Sequence, residues 1–379
     1  MSNTGKLSIT DGDLLGTIQA FFRSILAREE IGAILVPGVL PMKNVVMPTL
    51  VSDPERLSAA DPLAPCFPMN AAKIASRLTR KPAGSRVALV LRPCEIRAFV
   101  ELVKLNQANT DEVLIIGIDC LGAFTNADYR KIAKESVADS TRLFVQNAQK
   151  GISDAFGGIE LAKACRACEH PIPETADLSI GLVGIDTASE ILIEARTEKG
   201  QEFFDKVDIE KAPTPASREE AVRSLLAERT EFRDRMFAET DEATDGIEKL
   251  TAYLGACVNC YNCRVACPVC YCRECVFTTD VFDHEPSRYL RWADRKGTVK
   301  MPTDTVFFHV TRIAHMSTAC VGCGQCSNAC PNDVPVMELF RTLAMRTQKA
   351  FEYEAGRNIE EKPPLSEFRE DEFKEVVGI

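Results

Sequence analysis

Between residues 11 and 27, apolar side chains recur at Leu14, Ile18, Phe21, Phe22 and Ile25, the spacing of one face of an α-helix. Residues 34–36 suggest a short strand and residues 71–78 a second helix. The pattern then turns to an unbroken apolar run, RVALVL at 86–91, as expected of a strand covered on both faces. Residues 95–105 return to helical spacing, with Ile96, Phe99, Val100 and Val103 on one side, and 112–118 form a second buried-strand run. Residues 177–194 read as further strand structure with glycine turns. Strand, helix and strand joined by short connections predict an α/β (α+β) unit. From 212 to 245 the alternation fades. Pro213 and Pro215 are followed by a stretch dense in Glu, Arg and Ala with few apolar anchors, which predicts a charged surface helix acting as a linker. The expected division is therefore 1–210, a linker at 211–245, and 246–379, with an acidic, peripheral tail after Pro363.

The length of 379 residues fits two or three domains at roughly 150 residues each. With 45% hydrophobic and 26% charged residues, the chain reads as a soluble globular protein. A net charge of −10 argues against nucleic acid as a partner, because phosphate binding needs basic patches. No stretch approaches the ~18 apolar residues of a membrane span. The polar start shows no apolar leader segment, so a cytoplasmic location is expected. Sixteen cysteines in such a chain point to metal ligation, redox chemistry or packing rather than disulfides.

Their spacing decides among these uses. Cys257, Cys260, Cys263 and Cys267 form C-x2-C-x2-C-x3-C followed by Pro268, and Cys320, Cys323, Cys326 and Cys330 repeat the run before Pro331. This is the bacterial ferredoxin pattern, in which three thiolates wrap one [4Fe–4S] cubane and the fourth reaches the other. One set would then be Cys257, Cys260, Cys263 and Cys330, and the other Cys320, Cys323, Cys326 and Cys267. Zinc sites use CxxC pairs with longer spacers. The 52 residues of 268–319 form a long insertion containing His284, Trp292, His309 and His315, where each histidine reads as a packed or surface group. Cys270, Cys272 and Cys275 follow the first run closely; they either ligate a further metal or cluster or pack beside the first cubane. Cys66 shows no ligand spacing and reads as structural or free. Cys94 and Cys120 follow the two buried strands, at the sheet edge where ligand sites form, and Cys165 and Cys168 make a CxxC pair. Four ligands would be complete there, though zinc or free thiols fit the spacing as well.

RPCEIRA at 92–98, IGIDC at 116–120, CRAC at 165–168 and ADLSIGLVG followed by EARTEKG resemble the beta-subunit family of deazaflavin (coenzyme F420) reducing hydrogenases and formate dehydrogenases. YLGACVNCYNCRVACPVCYCREC, the stretch through VGCGQCSNACP, and FEYEAGRN are similar to its formate dehydrogenase branch. The resemblance implies an FAD- and cluster-binding α/β domain followed by a two-[4Fe–4S] ferredoxin-like domain. It implies Cys94, Cys120, Cys165 and Cys168 as ligands of a third [4Fe–4S] cluster, and a flavin region at Gly181, Gly184, Arg196, Thr197 and Gly200. From the residues alone, these glycines make turns and Arg196 is a surface charge; no GxGxxG motif is present. Three clusters are expected, or four if Cys270, Cys272 and Cys275 ligate.

Two functions follow from the resemblance. One is an iron–sulfur flavoprotein subunit that relays electrons between a catalytic formate dehydrogenase or hydrogenase subunit and a flavin-linked acceptor, with a heterodisulfide-reductase-like flavoprotein as a further candidate member of the assembly. The other is a catalytic FAD subunit that exchanges hydride with a soluble deazaflavin. The chain carries no molybdenum or nickel signature of its own, so oxidation of the primary substrate belongs to a partner.

Overall fold

The computed structural model describes residues 3–41, 44–133, 136–151, 156–299, 302 and 304–367; most of the expected acidic tail lies outside them. Eight strands form one sheet: β1 (Thr4–Ser8), β2 (Ile31–Val39), β3 (Val46–Val51), β4 (Arg86–Leu91), β5 (Val113–Ile118), β6 (Leu178–Gly181), β7 (Glu190–Ala195) and β8 (Glu210–Lys211). Their order is β3-β2-β4-β5-β6-β7-β1-β8. β2, β4, β5 and β6 run parallel; the flanking pairs are antiparallel.

The two apolar runs occupy the centre for the reason their sequence gives. Along β4 and β5, Ala88, Val90, Leu114 and Ile116 face one core, shared with Ile18, Phe22 and Ile25 of helix α1 (Leu14–Leu26). Val87, Leu89, Val113 and Ile115 face a second core, shared with helices α2 (Ala72–Thr79) and α3 (Pro93–Lys104). Helix α3 begins at Pro93, two residues before its sequence pattern suggests, because proline suits a first helical position. The Glu95 carboxylate fixes this start by accepting from the amides of Arg92 (2.9 Å) and Ala71 (2.8 Å).

The second core does not stop at α3. It continues into the cysteine-rich region through Leu254, Phe308, Val334, Leu339, Phe340 and Tyr353. A buried polar network closes the far side. Tyr353 donates to Glu101 Oε1 (2.6 Å), as do Lys104 Nζ (3.0 Å) and the amide of Gly356 (2.7 Å).

The charged stretch after the prolines forms one helix, Ala216–Thr244. It does more than span a gap. Arg218 is buried against the sheet edge, where Nη1 and Nη2 meet Asp119 at 2.6 and 3.1 Å. Asp119 in turn accepts from the amides of Leu182 (2.9 Å) and Val183 (3.0 Å). A two-pronged, satisfied pair of this kind fixes orientation in a way that a surface ion pair does not. No helix among the described residues is long and apolar enough to cross a membrane.

Candidate functional site: three cysteine sets

The ends of β4 and β5 position the first set. Cys94 lies in the first turn of α3, and Cys120 sits two residues past β5 with its amide held by Pro171 O (2.8 Å). Cys165 and Cys168 arrive on the short helix Lys163–Arg166 and the turn after it. All four line one small cavity, together with Arg92, Arg229 and Cys323. Burial, then the neighbouring thiolates, pushes Cys165 up to about 12 and raises Cys94 and Cys120. Thiols so placed ionise only beside compensating positive charge, which ferric and ferrous ions supply.

Cys257, Cys260, Cys263 and Cys330 line a second small cavity with Tyr261, Phe308 and His309. Cys330, from the other run, is thus the fourth member here. Cys320, Cys323 and Cys326 are raised by burial, and Cys267 is close enough to add its charge to each of them. The fourth cysteine of each run therefore lies with the first three of the other. Gly322 (φ +67°) and Gly324 (φ +76°) adopt the left-handed backbone of this turn; a Cβ on Gly324 would lie 2.4 Å from Ala164 Cβ. Among the described residues, no three His, Cys, Asp or Glu side chains close on a point as ligands of one metal ion do. Cysteine sets that line a cavity without converging on a point suit a cubane, which has iron at four corners.

Arg312 lies against the second cavity, with Nη1 donating to Cys263 Sγ at 3.1 Å and Nη2 to Cys263 O at 3.3 Å. His309 Nε2 lies 3.5 Å from Cys257 Sγ, and burial and Arg312 lower its pKa to about 4. Neither residue stood out as functional from spacing alone. The available signal was an arginine within an apolar stripe: Phe308, Arg312 and Met316 follow one another at four-residue intervals on Thr305–Met316, and all three are buried.

Cys270 is pushed up to about 11 by burial and has Cys267 and Cys272 nearby, but Cys272 is exposed, and the structure does not gather Cys270, Cys272 and Cys275 with a fourth donor among the described residues. Cys66 is buried in the first core, and its carbonyl accepts from Arg92 (2.7 Å). His284 and Tyr289, with Tyr261, Phe277 and Asp304, line a third cavity of about 400 Å³ beside the insertion.

The five flavin candidates are engaged by their own chain. A Cβ on Gly181 would lie 3.0 Å from Arg218 Nη1, and one on Gly184 (φ +72°) 2.6 Å from Arg218 Cα. Arg196 donates to Ser179 Oγ (2.9 Å) and Glu194 (2.6 Å). Thr197 caps the helix Glu198–Phe204 by accepting from Gly200 N (3.0 Å) and donates to Asp177 (2.6 Å). Gly200 leaves room for the Asp177 carbonyl, 1.9 Å from where a Cβ would stand. None of the five lines any of the three cavities above.

Residues 84–213 match the family model for the C terminus of the coenzyme F420 hydrogenase/dehydrogenase beta subunit, and residues 253–334 match a 4Fe-4S dicluster domain. The first span contains Cys94, Cys120, Cys165 and Cys168, the second both ferredoxin-type runs. The chain is similar to the F420-dependent formate dehydrogenase subunit beta of Methanocaldococcus jannaschii, with 27% identity over 92% of this chain and 93% of that protein. It is also similar to the F420-dependent formate dehydrogenase 1 subunit beta of Methanococcus maripaludis, with 28% identity over 93% of this chain and 94% of that one. A chain from the F420-reducing [NiFe] hydrogenase complex of Methanosarcina barkeri aligns at 18% identity and a TM-score of 0.47, covering 65% of this chain and 94% of its own, a likeness too low to bear on function.

Proposed function

Starting from a chain that belongs to the beta-subunit family of F420 hydrogenases and formate dehydrogenases, in its formate-dehydrogenase-like branch, we propose an electron-transfer subunit. It carries electrons between a catalytic formate dehydrogenase or hydrogenase partner and a flavin-linked acceptor. Three cysteine sets would hold its clusters: Cys257, Cys260, Cys263 and Cys330; Cys267, Cys320, Cys323 and Cys326; and Cys94, Cys120, Cys165 and Cys168. Such clusters, when bound, take up and release single electrons at potentials set by burial and hydrogen bonding.

One observation carries the reading: the sets adjoin. Cys323 of the middle set stands in the wall of the cavity lined by the strand-end set, and Arg312 lies beside cysteines of both ferredoxin-type sets. The residues of this chain hold thiolates in sequence from the insertion to the sheet edge. Cys260 is exposed at its outer end, where Val265, Val281, Leu290 and Phe307 are exposed as well, a surface suited to a protein partner.

The flavin is the finer part of the proposal and rests on the family alone. A second reading is favoured by the names of the two relatives: the subunit exchanges hydride with a deazaflavin through FAD. Anaerobic isolation of the complex, with iron, flavin and deazaflavin-reductase assays, tests both. Iron without flavin removes the FAD part; flavin with deazaflavin reduction selects the second reading; absence of iron overturns the proposal.

A further inference from the structure

We propose that Arg312 is a positioning residue that joins the two ferredoxin-type cysteine sets electrically and makes both easier to reduce. The inference rests on the proposed cluster sites. Arg312 is buried on the apolar face of Thr305–Met316. Its guanidinium carbon lies 4.6 Å from the ring centre of Phe340 and 5.5 Å from that of Phe308, which hold the plane in place. Nη1 and Nη2 grip Cys263 at its sulfur and its carbonyl.

Three other buried arginines answer to carboxylates, Arg218 to Asp119, Arg341 to Glu169 and Arg97 to Glu354, while buried Arg92 and Arg229 donate to carbonyls and line the cavity of the strand-end cysteines. Arg312 has no carboxylate within ion-pair distance among the described residues. The groups around it that can carry negative charge are instead cysteines: Cys263 of the outer set, in direct contact, and Cys267 and Cys326 of the middle set nearby. A lone guanidinium is costly to bury unless negative charge lies nearby. Two thiolate-bound clusters supply that charge, and each gains a further negative charge on reduction. Arg312 therefore favours the reduced form of both, more strongly where it also donates to sulfur.

The test uses the full chain, reconstituted anaerobically, as wild type, R312K and R312Q. Iron is counted first. Wild type with too little iron for the two ferredoxin-type clusters would remove the underlying reading, whatever Arg312 does. With iron complete, EPR-monitored redox titration of R312Q should show the reduced-to-oxidised ratio at fixed potential falling about tenfold for the cluster of Cys257, Cys260, Cys263 and Cys330, equivalent to about 59 mV for one electron. The middle cluster should shift in the same direction by less, and the strand-end cluster should stay put. R312K keeps the charge and should shift less than R312Q. Unchanged ratios at full iron, or an equal shift in all three clusters, overturn the proposal. Should R312Q fail to load, R312K decides by the same titration: a smaller fall in the reduced-to-oxidised ratio, larger for the outer cluster than for the middle one and absent at the strand-end one, supports the role, and unchanged ratios at full iron overturn it.

Discussion

The two four-cysteine runs have the same spacing and end in the same proline, yet they sit in opposite surroundings. The outer set has Cys260 exposed and borders an insertion with apolar side chains facing solvent. The middle set has no exposed cysteine and adjoins Ala164 through Gly324 and the strand-end cysteines through Cys323, and burial raises Cys320, Cys323 and Cys326. Spacing specifies the cage, while the rest of the chain specifies who can reach it. A set with an exposed cysteine can meet a partner; a set without one has its neighbouring sets closest at hand.

The largest effect expected is the loss of whole clusters. A full chain should bind about twelve irons if three [4Fe–4S] clusters form. The paired replacement C257S/C267S should then lose about eight and C267S/C320S about four, measured as iron and EPR signal. The reverse, about four irons lost from C257S/C267S and about eight from C267S/C320S, would mean that each run keeps its own fourth cysteine, and the crossing between sets would be wrong.

Next is access. Iron release to a chelator under air should be biphasic, with about four irons leaving first from the set that includes exposed Cys260. A single phase would erase the distinction between outer and middle sets.

Smaller effects sharpen the reason for the enclosure. G324A should cost about 2–4 kcal/mol by urea denaturation, combining left-handed strain with overpacking against Ala164. G297A, at φ +72° with open space around it, should cost about 1–2 kcal/mol and leave the middle set intact. Y353F removes the hydroxyl shared by Glu101 and Lys104 on the far side of α3 and should cost about 1–3 kcal/mol, with iron release from the outer set unchanged.

Much of this arrangement is legible in the sequence because it is local. RVALVL maps onto β4 residue for residue, since a strand apolar on both faces has one place to go. The ferredoxin register carries its own crossing rule, and the structure brings Cys330 to Cys257, Cys260 and Cys263. Non-local features were not legible. β1, TGKLS, has no apolar run and exists because it pairs with β7 and β8 on either side. β3 contains Pro48, which its place at the sheet edge tolerates. The charged helix Ala216–Thr244 reads as a surface linker until Asp119, about a hundred positions earlier, is known to receive Arg218. Conversely, Arg196 and the glycines near it carry a family likeness that packing accounts for locally.

The position of β1 also bears on how the protein is made. Its partners are Glu190–Ala195 and Glu210–Lys211, so once made this strand finds no mate until some 180 residues more have followed. At ordinary synthesis rates that is a wait of roughly 10–40 s. A strand of Thr4, Gly5, Lys6, Leu7 and Ser8 can spend that time in water without recruiting another chain. Cys94, Cys120, Cys165 and Cys168 are all translated during the same interval, before the sheet can be finished at both ends. The polar character that hides this strand from a search for apolar patterns is thus what lets the nascent chain hold it in reserve.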